Sequence, residues 1–328
     1  MSGRPYFSIG VTTFDRRELL NETLKSILGQ TFGDFEVLVG NDNPSISLTP
    51  DVLGISDPRI RILNHPINLG EIGNMNELLA QSRGAYFTWL ADDDLYATTF
   101  LQAVRDAHLR HEAPTAVFTN YDSGTACQPE SVDFQGRVFP MEGRVFLRKY
   151  LSRNLRTLGC YGVFESRYLH SLGGMTKLGN GFSPYSDNLL AIRAGALEKL
   201  CYIDAPLLFF RTHPDSISYS SDDVEAYATA QEDLCAHAIQ ILDASTLQSD
   251  RRRNIYDLLS HWCLIFISHV LMRSDRNRGS FYWRYAKFLY KYSSGLGSDR
   301  VRLFALTLKL ALMHEMLALM GKLSSRPR

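Results

Sequence analysis

Cysteine is scarce and unpatterned. The chain has five in 328 residues, Cys127, Cys160, Cys201, Cys235 and Cys263, far apart, odd in number and never in a Cys-x-x-Cys pair. That argues against a disulfide framework or a zinc site and suits a reducing cytoplasm. Long hydrophobic runs are also missing. No stretch of 18 apolar residues occurs, so no membrane-spanning helix is predicted. Met1-Ser2-Gly3-Arg4-Pro5 is not followed by a long apolar core, so a signal peptide is not expected. No Gly-x-Gly-x-x-Gly follows the first predicted strand, which disfavours a dinucleotide oxidoreductase. No glycine-rich, lysine-bearing phosphate loop stands there either, which disfavours a nucleotidyltransferase. Net charge is absent overall but not locally. From Arg251 to Arg328 there are 15 Lys and Arg against four Asp and Glu, net +11, so the first 250 residues, 20 against 31, carry −11. A basic tail on an acidic body suggests that the tail meets something anionic. Nucleic acid is not expected there, because the tail has no recognised nucleic-acid motif.

What is present is an ordinary globular composition, 45% hydrophobic and 21% charged, in a chain longer than one compact core usually needs. The pattern predicts a body over residues 1–222 and a basic helical region over 223–328, with helices near 223–243, 252–272, 280–292 and 300–321. In the body, Phe7 to Thr12 reads as a strand. Asp15 and Glu18 then sit at the spacing of a helix-capping box, and Leu19, Leu20, Leu24, Ile27 and Leu28 give one buried helical stripe over 16–30. Strands are predicted at 35–39, 59–63, 85–90 and 115–119, with helices before and after the third of these. Strand, helix, strand at this spacing is a βαβ unit with parallel pairing. Between Gly124 and Gly181 the signals weaken and turns dominate. Residues 200–203 and 207–210 read as two further strands.

The stretch from Tyr86 to Tyr96 organises the rest. Ala85 to Leu90 has no alternation, as a strand buried on both faces requires. It runs directly into Asp92, Asp93 and Asp94, at the strand end where ligands bind in open parallel sheets. Three adjacent carboxylates repel one another unless a cation or water relieves them, and oxygen ligands suit Mg2+ or Mn2+ together with phosphate. An acidic turn with Asp94 capping a helix is the other reading. Asp42, closing the second strand, is placed to meet a nucleobase or ribose, or simply to cap a turn.

These residues resemble the inverting glycosyltransferases of family 2 over roughly residues 6–220. The matching stretches are Gly10-Val11-Thr12-Thr13-Phe14-Asp15-Arg16, Gln30 to Val37, Asp42-Asn43, Asn68-Leu69-Gly70 with Asn76, Trp89 to Asp94, Ser186-Asp187, and Arg211-x-His213-x-x-Ser216-x-Ser218. The resemblance implies an α/β GT-A fold, Rossmann-like, with a mainly parallel sheet flanked by helices and a C-terminal helical extension. It implies a donor site for a nucleotide-diphosphate sugar at Thr13, Phe14, Asp15, Asp42, Asn43, Asn74, Asp92 and Arg211. It further implies a Mn2+ or Mg2+ site at Asp93, Asp94 and His213, and Asp187 as the catalytic base. Two registers of the triplet compete: period-2 geometry pairs Asp92 with Asp94, whereas the family pattern puts the metal aspartate at Asp93, which we prefer, leaving Asp92 near the ribose and Asp94 orienting the site. Three positions depart from the pattern: Met75 replaces a common arginine, Ala91 the first aspartate, and Ser186 the acidic neighbour of the base.

The segment from Leu303 to Met313 is apolar nearly all round. Such a helix belongs in a protein interior, a dimer or a membrane interface. With the +11 charge, it raises the expectation of a cytoplasmic enzyme at the inner face of a membrane, acting on a saccharide or lipid-linked acceptor in surface polysaccharide or glycolipid assembly. A non-catalytic nucleotide-sugar-binding or scaffold protein on the same fold is the alternative; donor hydrolysis with manganese separates the two.

Overall fold

The structure is a computed structural model that describes residues 3–125, 133–181, 183–213, 223–243, 247–261 and 278–324. Cys127, Cys263, Ser216, Ser218 and the predicted helix beyond residue 261 lie outside these. Two compact units are present. One is Met1–Tyr150 with Leu155–Lys177 and Ser186–Tyr219; the other is Leu151–Asn154, Leu178–Tyr185 and Ser220–Arg328.

The first unit follows the predicted alternation. β1 (Phe7–Thr13), α1 (Arg17–Leu28), β2 (Phe35–Asn41), a short α2 (Pro50–Leu53), β3 (Ile60–Asn64), α3 (Gly70–Gln81) and β4 (Tyr86–Ala91) come first. β5 (Leu95–Tyr96), α4 (Phe100–Arg110) and β6 (Ala116–Gly124) follow. The region of weak signals resolves into β7 (Val138–Met141), α5 (Gly143–Leu151), β8 (Val163–Glu165) and α6 (Ser166–Ser171), ahead of α7 (Ser186–Ala194). The two strands expected at 200–203 and 207–210 are one, β9 (Leu200–Arg211). It stays continuous because β6 absorbs the irregularity: the β6–β9 register shifts around Asn120, opposite Pro206, which has no amide to donate.

The nine strands among the described residues form one mixed sheet, ordered β3-β2-β1-β4-β8-β6-β9-β5, with β7 also on β9. β3, β2, β1 and β4 are parallel; β8 enters antiparallel between β4 and β6. Phe7, Ile9 and Val11 of β1, Val37 and Val39 of β2 and Leu90 of β4 are fully or almost fully buried, against Leu20, Leu24 and Ile27 of α1. Truncating one of these, Leu24→Ala for example, costs about 2–5 kcal/mol. The carboxyl ends of β1, β2 and β4 open on one edge, and the candidate site residues of this unit gather there.

The second unit is helical at Val224–Leu242, 251–261, Arg278–Tyr292 and Asp299–Ser324, close to the predicted spans. Along the last helix Val301, Leu308, Leu312 and Met316 are all exposed. Spacings of seven and four residues put them on one face, flanked by the exposed Arg302 and Lys309. Among the described residues no helix is long and apolar enough to cross a membrane.

Candidate active site

β4 stops at Ala91, and the aspartates form a turn in which the Asp94 amide donates to the Ala91 carbonyl at 3.3 Å. The chain is not extended there, so the geometry that would set Asp92 and Asp94 on one side is absent. The three carboxylates go to three places.

Asp92 is buried under β1 and α1. It accepts from the Thr13 hydroxyl at 2.5 Å and is ion-paired to the Arg16 guanidinium. Burial pushes its pKa up to about 6, against the opposing pull of Arg16 and Thr13. Asp93 meets both Arg16 and His213: Arg16 Nη1 donates to its Oδ2 at 2.8 Å, and His213 Nε2 lies 2.9 Å from the same oxygen. That contact joins residues 120 apart in sequence. Asp94 faces the interior. Its Oδ1 accepts from the Arg211 amide at 2.8 Å, its Oδ2 accepts from the buried Tyr161 hydroxyl, and its carbonyl accepts from Thr23. Burial, with Asp93 alongside, raises its pKa.

Asp93 and His213 therefore present an oxygen and an imidazole nitrogen side by side. A hard divalent cation accepts such ligands and completes its shell with water and phosphate oxygens, so these two residues fit one. Asp94, expected as a third ligand, has both carboxyl oxygens occupied by protein donors; it braces the end of β9, two residues before His213. Among the described residues no group of three His, Cys, Asp or Glu side chains forms a ready metal cage.

Beside the turn lies a cavity of about 260 Å³ whose lining includes Thr13, Asp15, Arg16, Asn41, Asn43 and Ile46. Asp15 is not the predicted capping residue: helix α1 is preceded by Arg16, without a side-chain cap, and Asp15 has φ +58°, a left-handed conformation that aspartate tolerates. That kink precedes the arginine that reaches the triplet. Phe14 is 51% exposed. Asp42 is buried and accepts from the Leu69 amide at 2.7 Å, fixing the entry to α3. Asn43 caps its own turn through Ser45. Two expected donor contacts are engaged elsewhere. Asn74 is buried between the Gly40 carbonyl, 2.8 Å, and His65, 3.0 Å. Gly40 is required there, since a Cβ would come within 2.0 Å of the Asn74 oxygen. The Arg211 guanidinium pairs with Glu22 at 2.7 Å, tying β9 to α1. Asn76 holds Met175 through two hydrogen bonds.

Asp187 opens helix α7, in the first turn. Burial pushes its pKa up to about 6, although its own amide and those of Asn188 and Gly159 donate to the carboxylate and pull the other way. Gly159 is essential to that approach, because a Cβ would meet the Asp187 carbonyl at 1.8 Å. Glu71 stands in the first turn of α3, near enough to Asp187 for the two charges to act on each other. Its carboxyl is accessible but lies in a recess with protein on most sides, and it has no hydrogen bond or ion pair among the described residues. Desolvation first, then Asp187, raises its pKa to about 7, with Asp93 adding to the rise and Arg16 opposing it. Asp187, Asp93 and Arg16 thus all act electrostatically on Glu71. Glu71, Arg16 and Tyr161 were not singled out by the sequence; Glu71 directly follows Asn68-Leu69-Gly70, and Arg16 closes the first quoted stretch, but nothing in either marked a charge aimed at the triplet.

Residues 8–157 match the description Glycosyl transferase family 2. The GalNAc(5)-diNAcBac-PP-undecaprenol beta-1,3-glucosyltransferase of Campylobacter jejuni is 40% identical over 93 residues, 27% of this chain and 30% of that protein. The UDP-Glc:alpha-D-GlcNAc-diphosphoundecaprenol beta-1,3-glucosyltransferase of Escherichia coli is 26% identical over 115 residues, 35% and 45% of the two chains. The aligned segments thus span 30% and 45% of those relatives' lengths. Among solved structures, S. aureus TarS 1-349 in complex with UDP-GlcNAc superimposes with a TM-score of 0.69 at 13% identity, covering 96% of this chain and 92% of that one. Over residues 8–157 the chain is similar to glycosyl transferase family 2, and its first unit has the GT-A fold.

Proposed function

We propose that the protein transfers a sugar from a nucleotide-diphosphate sugar to an acceptor hydroxyl with inversion at the anomeric carbon, and that the acceptor is a saccharide carried on a lipid diphosphate. The single observation that carries the reading is the meeting of Asp93 and His213 at 2.9 Å at the end of β4, in a cleft that Asp187 also influences.

The cavity lined by Thr13, Asp15 and Asn43 takes the nucleoside. Thr13 and Arg16 hold Asp92 beneath it. Asp93 and His213 would hold Mg2+ or Mn2+, which when bound offsets the charge that develops on the leaving diphosphate. Asp187 accepts the proton of the attacking hydroxyl. A carboxylate with a pKa of about 6 is mostly ionised at neutral pH yet more basic than an ordinary aspartate. Backbone donors from Asn188 and Gly159 hold it in place. Glu71, accessible and unpaired, accepts from a second acceptor hydroxyl. Asp94 acts through other residues, anchoring the Arg211 backbone so that His213 stays on Asp93.

Two observations support a lipid-linked acceptor. Both named relatives carry undecaprenol-linked substrates in their names, and the last helix exposes an apolar stripe bordered by basic residues within a +11 region. A peripheral stay at an anionic membrane face follows from the same features. The test is nucleotide release from a panel of UDP- and GDP-sugars with MnCl2, first with water and then with an undecaprenyl-diphosphate saccharide as acceptor. Metal-dependent release that Asp187→Asn abolishes is expected. Donor binding without release under every condition would leave a non-catalytic binding protein.

A further inference from the structure

Arg16 occupies an unusual position for a residue outside the triplet. Its guanidinium is shared between two carboxylates, pairing with Asp92 and lying 2.8 Å from Asp93. The Asp93 oxygen it contacts is the one that also meets His213. The same side chain lines the donor cavity and is 29% exposed, while Asp92 and Asp93 are 0% and 10% exposed. One permanently charged group therefore stands between the cation-binding pair and the cavity assigned to the donor, at the end where the diphosphate of a bound donor would meet the cation.

Two cations cannot share one carboxylate oxygen without mutual repulsion, and the low-dielectric setting of Asp92 strengthens that repulsion. Without a ligand, Arg16 offsets the charge of Asp92 and Asp93 and keeps these acidic neighbours together that would otherwise repel. A diphosphate in the adjacent cavity offers the guanidinium a second anionic partner of the kind its fork geometry favours. We propose that Arg16 is the resident counter-ion of Asp92 and Asp93, that it competes with the divalent cation for Asp93, and that an arriving diphosphate releases Asp93 by drawing the guanidinium toward itself. Cation and donor then bind with positive coupling, and by linkage each tightens the other. The proposal rests on the cation reading given under Proposed function.

The test needs no turnover. Binding of Mn2+ alone is measured from the free-ion electron paramagnetic resonance signal, and binding of pyrophosphate in EDTA by calorimetry, for the wild type, Arg16→Gln and Arg16→Lys. The competition demands opposite signs: Arg16→Gln binds Mn2+ at least about tenfold tighter and pyrophosphate at least about tenfold weaker. Arg16→Lys, which keeps a charge without the fork, falls between. A guanidinium with only a structural role would weaken both ligands together when removed. Equal Mn2+ affinity in wild type and Arg16→Gln overturns the proposal and leaves the cation reading standing. Absence of Mn2+ binding to every protein, with pyrophosphate also present, overturns both. If Arg16→Gln does not give a cooperative melt, Arg16→Lys decides alone: Mn2+ affinity at or below that of the wild type refutes the competition.

Discussion

The assignment of the base rests on Asp187, and its replacement by Asn is the sharpest perturbation. A positioned general base supplies roughly 10²–10⁴-fold in rate, or about 3–5 kcal/mol of barrier. Asp187→Asn should lower kcat by that factor while leaving Mn2+ and nucleotide binding within about twofold. The pH profile adds an independent number. With a pKa of about 6, about nine-tenths of Asp187 is ionised at pH 7 and about one-tenth at pH 5, so wild-type kcat/KM should fall about tenfold across that interval. An aspartate at the ordinary value of 3.8 would lose almost nothing there. Glu71 ionises nearby, at about 7, so the same profile is recorded for Glu71→Gln: it should keep the limb near pH 6. The assay is initial-rate nucleotide release at fixed Mn2+, with donor binding checked at pH 5. If Asp187→Asn turns over within tenfold of wild type, or if Glu71→Gln and not Asp187→Asn collapses the rate, the base is misassigned.

Four other outcomes are expected. Glu71→Gln should raise the KM for the acceptor about tenfold and change kcat less than threefold, since a hydrogen bond to a charged group contributes roughly 1.5–3 kcal/mol; an unchanged KM would remove Glu71 from the acceptor site. Tyr161→Phe leaves the buried Asp94 oxygen without its donor and should cost about 1–3 kcal/mol in urea unfolding, with weaker Mn2+ binding because Asp94, which braces β9 through the Arg211 amide, is held less firmly. Replacing Leu308, Leu312 and Met316 together by Ser should abolish salt-sensitive flotation with anionic liposomes and spare hydrolysis of the donor by water; wild-type protein that does not float would already refute the membrane reading. Stability should fall as pH rises. Asp92, Asp187 and Glu71 have folded pKa values above the ordinary carboxylate values of 3.8 and 4.5, so their contribution is fully present only below those ordinary values and is lost as pH rises through about 6 to 7. Thermal melts in EDTA across that window check it, and Asp187→Asn should flatten the slope.

The sequence made the alternating body legible because both signals there are local. A short aromatic-rich run such as Tyr86 to Leu90 reads as a strand buried on two faces, and the stripe of α1 has a clear helical period. The pairing of Asp93 with His213 came only through the family resemblance, since nothing in a spacing of 120 residues encodes contact. What the sequence hid is what depends on tertiary placement. β5 is two residues long and exists because β9 passes beside it. β8 is three residues wedged between β4 and β6. Asn74 and Arg211 have the chemistry of ligand contacts, but the backbone of β2 and the carboxylate of Glu22 reach them first. Asp15 has the spacing of a cap, yet its left-handed backbone leaves α1 uncapped and precedes the arginine that reaches the triplet.

The three departures from the family pattern become intelligible once charges are counted by place instead of by position in the chain. Met75 is buried, and its carbonyl accepts from the Trp89 indole at 2.9 Å; an arginine there would bring a charge into the contact between α3 and β4, and the positive charge near the triplet comes from Arg16 instead. Ala91 still belongs to β4 and pairs with Thr12; the carboxylate that meets Thr13 and Arg16, both of which line the cavity, is that of the next residue, Asp92. Ser186 is buried and donates to the Thr176 carbonyl at 2.6 Å, so an acid at this point would be desolvated and would displace a satisfied hydrogen bond. The acidic neighbour of Asp187 is supplied from another element, by Glu71 at the start of α3. Each lost side chain thus has a neutral structural substitute at its own position and a charged replacement nearby. A decayed site would keep the fold and lose the charges; here the charges are kept in the cleft and redistributed along the chain, which is why we read the protein as catalytic.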